Sequence, residues 1–184
     1  AEMLKSFKVA DGYEVNLFAS EQEFPELCNP EQIAFDDRGR LWVVTMPSFP
    51  STIPGDVPHD KIIVLEDTDH DGKADKSTIF SDQLNVPDGL AFYKDGVIIS
   101  HQPRLVFMKD TNGDGKADKS TVFADGLYMP TGIELANGGC YVAQTPDVFF
   151  LKDTDGDGKA DKSTVFADGL YMPTGIELAN GGCY

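Results

Sequence analysis

Lys109 to Tyr141 reads KDTNGDGKADKSTVFADGLYMPTGIELANGGCY, and Lys152 to Tyr184 reads the same with Asp155 in place of Asn112. The two stretches begin 43 residues apart. A diverged copy, DTDHDGKADKSTIFSDQLNVPDGLAF, starts at Asp67, which again lies 43 residues before Asp110. Pro87, Pro130 and Pro173 keep the same step, whereas Pro30 lies 57 residues before Pro87, so the first unit holds an insertion of about 14 residues. A fixed period of this length is the signature of a repeat architecture, in which each unit buries its apolar face against the next.

Within each unit the apolar runs are short and bounded by turn residues. After each proline comes a run such as Ile33-Ala34-Phe35, Leu90-Ala91-Phe92 or Ile133-Glu134-Leu135. A turn with Asp or Gly separates it from a second run (Leu41 to Val44; Val97 to Ile99), and a third follows (Ile62 to Leu65; Leu105 to Met108; Val148 to Leu151). An acidic glycine loop then leads to a fourth, such as Ser120-Thr121-Val122-Phe123. β-Branched and aromatic residues fill these runs, and no sustained 3.6-residue period is present, so strands are expected and few helices. Four strands in about 43 residues predict an all-β fold, a β-propeller with blades starting near residues 30, 87, 130 and 173. A stack of hairpins or an open solenoid is the other reading of the same pattern.

The fourth unit stops at Tyr184, inside its second strand. The sequence therefore reads as one partial propeller domain over residues 1–184, with residues 1–29 as a lead-in. Tyr13-Glu14-Val15-Asn16-Leu17-Phe18 alternates apolar and polar residues and is expected to form a strand that completes the last blade of a whole ring. The chain begins at Ala1 with no signal peptide, which suits a processed chain, an excised domain or a fragment. The near-identity of the last two units suits recent duplication, an assembly error or an artificial sequence.

Acidic residues number 31 against 15 basic ones, a formal charge of −16. So negative a surface argues against nucleic acid or an anionic membrane face as partner and favours cations. No run of 18 apolar residues is present to span a bilayer. Cys28, Cys140 and Cys183 form neither a disulfide framework nor a zinc spacing. Cys140 and Cys183, at matching positions, read as small buried residues.

The acidic loops carry the strongest chemical signal. The pattern DxDxDGxxD occurs at Asp67, Asp69, Asp71 and Asp75, and again at Asp153, Asp155, Asp157 and Asp161. The middle copy, Asp110, Asn112, Asp114 and Asp118, keeps an oxygen at every position. Eleven of the 31 acids sit in these loops, and carboxylates so crowded repel unless a cation neutralises them. Gly72, Gly115 and Gly158 permit the sharp turn at position six, so that the carbonyls of Lys73, Lys116 and Lys159 can face an ion. Hard oxygen ligands in a flexible loop suit Ca²⁺ better than Zn²⁺ or Mg²⁺. Position twelve is Thr78, Thr121 or Thr164 rather than a bidentate Glu, so these are not EF-hands. Two to three structural calcium ions are expected, with solvated Asp-Gly turns as the bland alternative.

Catalytic candidates are sparser. His70 occupies position four of the first acidic loop, and His59 follows the proline-rich insertion Met46 to Pro58. His101, at the end of a second strand and near Asn85 and Asp88, has the chemistry of a general base, though a hydrogen-bonded loop histidine is the plainer reading. Arg104 suits an anion or an acidic partner.

FKVADGYEVNLFAS, NPEQIAFDDRGRLWVVTMPSFP, KIIVLEDTDHDGKADKSTIF and VPDGLAFYKDGVIISHQPRL resemble the membrane-bound dehydrogenases of planctomycete and verrucomicrobial bacteria. Their N-terminal domain is similar to the glucose/sorbosone dehydrogenase propellers. The resemblance implies a six-bladed ring, export to the periplasm or cell surface, and quinone-linked oxidation of a sugar or alcohol. It also implies pyrroloquinoline quinone as cofactor, His101 as the base, and a cytochrome c partner or downstream domain. Two other readings stand beside it: a non-catalytic propeller that binds glycans or protein partners, and a truncated or artificial repeat without activity.

Overall fold

The computed structural model describes residues 3–51 and 55–184. Thr52, Ile53 and Pro54 of the irregular insertion lie outside the described residues. A single 3-10 turn, Met3–Ser6, is the only helical element among them. All other regular structure is β.

Three four-stranded antiparallel sheets follow one another along the chain, each a simple meander. The first holds β1 (Pro30–Phe35), β2 (Leu41–Thr45), β3 (Asp60–Glu66) and β4 (Lys76–Leu84). The second holds β5 (Leu90–Tyr93), β6 (Gly96–His101), β7 (Arg104–Lys109) and β8 (Lys119–Ala124). The third holds β9 (Gly132–Ala136), β10 (Gly139–Gln144), β11 (Asp147–Lys152) and β12 (Lys162–Ala167). A two-stranded sheet, β13 (Leu178–Ala179) with β14 (Gly182–Cys183), begins the fourth unit. The 43-residue period thus delivers one sheet per unit, strand for strand as the apolar runs predict.

The sheets stack face to face in sequence order, and the period of two along each strand sets the stacking. Trp42 and Val44 of β2 face Val97 and Ile99 of β6 in one buried cluster. Ile98, between those two, points the other way and joins Cys140 and Val142 of β10 in the next cluster. Tyr141 and Ala143 point onward to Ile176 and Leu178 of the fourth unit. Each central strand is therefore apolar on both faces: Val97, Ile98 and Ile99 are all at most 1% exposed. The first strands approach closely where side chains are absent, since a Cβ on Gly132 would stand 2.9 Å from Gly175 Cα.

Residues 13–20 do not form the expected strand. Strand structure needs a laddered neighbour, and no described residue pairs with them in register. They nevertheless fill a fourth-strand role at one point. Ala117 N–H donates to Phe80 O and Ala160 N–H to Phe123 O, each 2.8 Å, tying an acidic loop to β4 or β8 of the preceding sheet. Ala74 N–H makes the matching bond to Phe18 O, also at 2.8 Å. Phe18, Phe24 and Leu27 cover Val43, Ile63 and Leu65 on the outer face of the first sheet.

The cysteines divide. Cys140 is buried, and burial followed by the nearby Glu134 carboxylate pushes its thiol up to about 12, which leaves it unreactive. Cys183, expected to be buried, is exposed, because β14 pairs only with β13 and no third strand covers it.

Candidate metal centre

The hairpins β3–β4, β7–β8 and β11–β12 carry the three acidic loops. They lie on the same side as the β1–β2, β5–β6 and β9–β10 turns, because alternate connections in a meander emerge at opposite ends. Asp75, Asp118 and Asp161 N–H groups donate to Glu66, Lys109 and Lys152 O, each 2.9 Å, and close the three loops alike.

Inside each loop the backbone turns its N–H groups onto the carboxylates. Asp67 accepts from Asp71 N–H at 3.2 Å and Gly72 N–H at 2.9 Å. Asp110 accepts from Gly113 N–H at 2.6 Å and Gly115 N–H at 2.8 Å. Asp153 accepts from Gly156 N–H at 2.6 Å and Gly158 N–H at 3.1 Å. Position five caps the N–H of position seven: Asp71 to Lys73, Asp114 to Lys116 and Asp157 to Lys159, at 2.8–2.9 Å. The position-six glycines hold φ of +86°, +86° and +90°, a region that L side chains enter only at a cost. Position four is also left-handed, with Gly113, Gly156 and an exposed His70 at φ +63°.

This folding brings positions one, three and five together. Carboxylate oxygens of Asp67, Asp69 and Asp71 lie within 4.8 Å of one another, and so do those of Asp153, Asp155 and Asp157. In the middle loop Asn112 takes the position-three place, its Oδ1 accepting from Asp114 N–H at 2.9 Å. Position nine goes elsewhere. Asp75, Asp118 and Asp161 accept from the hydroxyls of Thr68, Thr111 and Thr154 at position two, at 2.6–2.9 Å. These aspartates brace the loop rather than join its oxygen cluster, a role the spacing alone did not reveal.

For Asp67, burial raises the carboxyl pKa but the N–H groups around it outweigh that and hold it low. For Asp110, the Gly115 N–H leads in holding it low. Asp153 is opposed by burial but drawn down to about 2 by the Lys94 ammonium and the Gly156 and Gly158 N–H groups. All three position-one carboxylates are thus held ionised, as a hard cation requires. Lys94 is a participant that sequence reasoning missed, because it lies 59 residues from Asp153.

His101 sits on the opposite side of the sheets. Its Nδ1 accepts from Asn85 N–H at 3.3 Å. Gln102 exchanges main-chain and side-chain bonds with Asn85, and its amide donates to Asp88 at 2.9 Å. Burial, then the Arg104 charge, lowers the His101 pKa and leaves the imidazole neutral. Burial and the Glu31 charge raise Asp88 to about 6, against the pull of Gln102. Among the described residues no carboxylate bonds to His101, and Asp88 connects to it through Gln102 and Asn85. Arg104 pairs with Asp125 at 3.1 Å. His70 is exposed on the acidic-loop side, whereas the exposed His59 lines a cavity of about 230 Å³ together with Asn85. Pyrroloquinoline quinone bears three carboxylates and calls for cationic side chains, so a surround of Glu31, Asp88 and an already paired Arg104 does not fit it.

Family models place the chain. Residues 1–121, 106–164 and 151–184 each match the family described as Domain of unknown function (DUF7133). The chain belongs to that family. The matched stretches run through all three acidic loops, so the loops are part of what the family model covers. No curated protein matches the chain.

Proposed function

We propose that the chain is a calcium-binding β-propeller domain of an exported protein, in which the acidic loops hold structural Ca²⁺. The observation that carries this reading is the triple recurrence of one loop. Each copy aims carboxylate or amide oxygens inward with the same backbone turn, and each is tied by an alanine N–H to the segment before it, Phe18 of the lead-in or β4 or β8 of the preceding sheet. A cation there would neutralise carboxylates that otherwise repel and would stiffen a hairpin bonded to its neighbour. Oxygen-rich loops without a bidentate Glu suit the high micromolar to millimolar affinities of extracellular modules, which favours export. The face-to-face stacking of successive sheets supports the propeller arrangement.

Calorimetric titration with CaCl₂ tests the reading. Two to three ions per chain are expected, and Asp71→Asn is expected to remove one of them. No heat of binding up to about 10 mM, well above the weakest such modules, would contradict it.

Oxidation of a sugar or alcohol by an added acceptor dye that takes the two electrons, with the neutral, half-buried His101 taking the hydroxyl proton, is the second reading. Dye-linked turnover abolished by His101→Gln would support it. Glycan binding without turnover would favour a binding module.

A further inference from the structure

The junctions between successive sheets differ at the acidic loops. The β5–β6 turn sends Lys94 across to the third loop, where its Nζ lies 2.8 Å from Asp153 Oδ2. Tyr93 OH donates to the same oxygen at 3.2 Å. With Gly156 and Gly158 N–H, four donors meet this one carboxylate, about as many as its lone pairs can accept. The Asp153 side chain is 0% exposed, whereas that of Lys94 keeps 40% of its surface in solvent.

Counted from their prolines, the residues matching Tyr93 and Lys94 in the first sheet are Asp36 and Asp37. Asp36 is occupied by Arg40 and the Trp42 indole, and no ion pair reaches Asp110 of the second loop among the described residues. A cleft of about 900 Å³ opens there instead, lined by Asp37, Arg38, Asp110 and Asp114 among others. At the first loop the chain offers Asn16, whose amide donates to Gly72 O at 2.7 Å. Among the described residues only the third loop has a charged partner from a neighbouring unit.

We propose that Lys94 is the resident cation of the third loop, so that calcium enters this loop only by displacing the ammonium from Asp153. This rests on the reading of the loops as calcium ligands. An ion that ligated Asp153 with Lys94 still in place would meet a like charge a few ångströms away in a partly buried setting. Calcium therefore binds the third loop more weakly than the first, whose position-one Asp67 accepts backbone N–H groups and has no ion pair among the described residues. Without calcium, the second and third sheets stay latched through Lys94.

The test is calorimetric titration with CaCl₂ of the full chain carrying Asp71→Asn and Asp114→Asn, which weaken the first two loops. Adding Lys94→Met is expected to tighten binding at the third loop at least about tenfold. Lys94→Arg, which keeps the charge, is expected to leave it weak. Lys94→Gln, with its stem and a donor, replaces Lys94→Met if that chain does not melt cooperatively in EGTA. A gain below tenfold on neutralising Lys94 overturns the proposal. The first loop, titrated in a chain carrying Asp114→Asn and Asp157→Asn, separates the two failures. If it binds calcium while neutralising Lys94 changes nothing, only the latch falls. If it binds none, the calcium reading falls as well.

Discussion

Asp88 is the residue whose titration should be visible. Its folded pKa near 6 lies above the ordinary carboxylate value of 3.8, so between those values the folded state holds more protons than the unfolded one. Stability contributed by the protonated form is present below about pH 4 and is lost as pH rises through about 6. Asp88→Asn should therefore flatten the fall in Tm between pH 4 and pH 6.5, a comparison that thermal melts across that range provide. An unchanged slope would mean that Asp88 does not carry it. Asp153 runs the other way: its folded pKa near 2 gives stability present above about pH 4 and lost as pH falls toward 2. Gly158 makes a conformational prediction. At φ +90°, with an added Cβ 2.9 Å from Phe107 Cδ1, Gly158→Ala should cost about 1–2 kcal/mol or more, read from urea unfolding. The alternation of Asp around that glycine was legible from sequence, because ligand oxygens and a left-handed turn demand particular residue types. The Asp153–Lys94 pair was not, because nothing local marks a lysine that reaches a loop in the next unit.

At the scale of the strands, the 43-residue period translates into sheets because each unit carries alternating apolar residues for both of its neighbours. Phe80 and Phe123 occupy the same place in successive units and are 5% and 2% exposed, while Phe166, which is followed only by the two-stranded β13–β14 sheet, is 50% exposed. The cost of truncation should follow that series. Phe123→Ala should cost about 3–5 kcal/mol and Phe166→Ala much less, as measured by equilibrium unfolding. Equal costs would argue against inter-sheet packing as the main source of stability. Close approach to the backbone of Gly175 and Ile176 explains Gly132, whereas a Cβ at Gly89 would make only ordinary contacts and one at Gly175 would stand in open space. The expected strand over Tyr13 to Phe18 misled for a related reason. Alternation in sequence marks a surface with two faces, but a strand exists only where a ladder partner stands beside it. The alternating Tyr13, Val15 and Leu17 are exposed, and it is Phe18, out of phase with them, that covers the first sheet and accepts the Ala74 bond that β4 and β8 accept elsewhere.

For the whole molecule, the account makes calcium and sheet stacking one cooperative system. The second and third acidic loops touch the sheet before them through an alanine N–H and the first touches the lead-in segment at Phe18, so an ion that rigidifies a loop also fastens it to the chain that precedes it. A net charge of −16, with eleven of the acids in these loops, makes the calcium-free chain self-repelling. The most direct measurement is thermal melting of the full chain in CaCl₂ and in EGTA, with MgCl₂ as a control for ionic strength. An ion present at about 100 times its Kd adds about 2.7 kcal/mol, and for a chain of this size each kcal/mol moves Tm by about 2–4 °C. The account predicts a single cooperative transition raised by about 5–10 °C or more in calcium, with magnesium giving a much smaller rise. A cooperative melt with the same Tm in calcium and in EGTA would contradict it and leave the acidic loops as solvated turns.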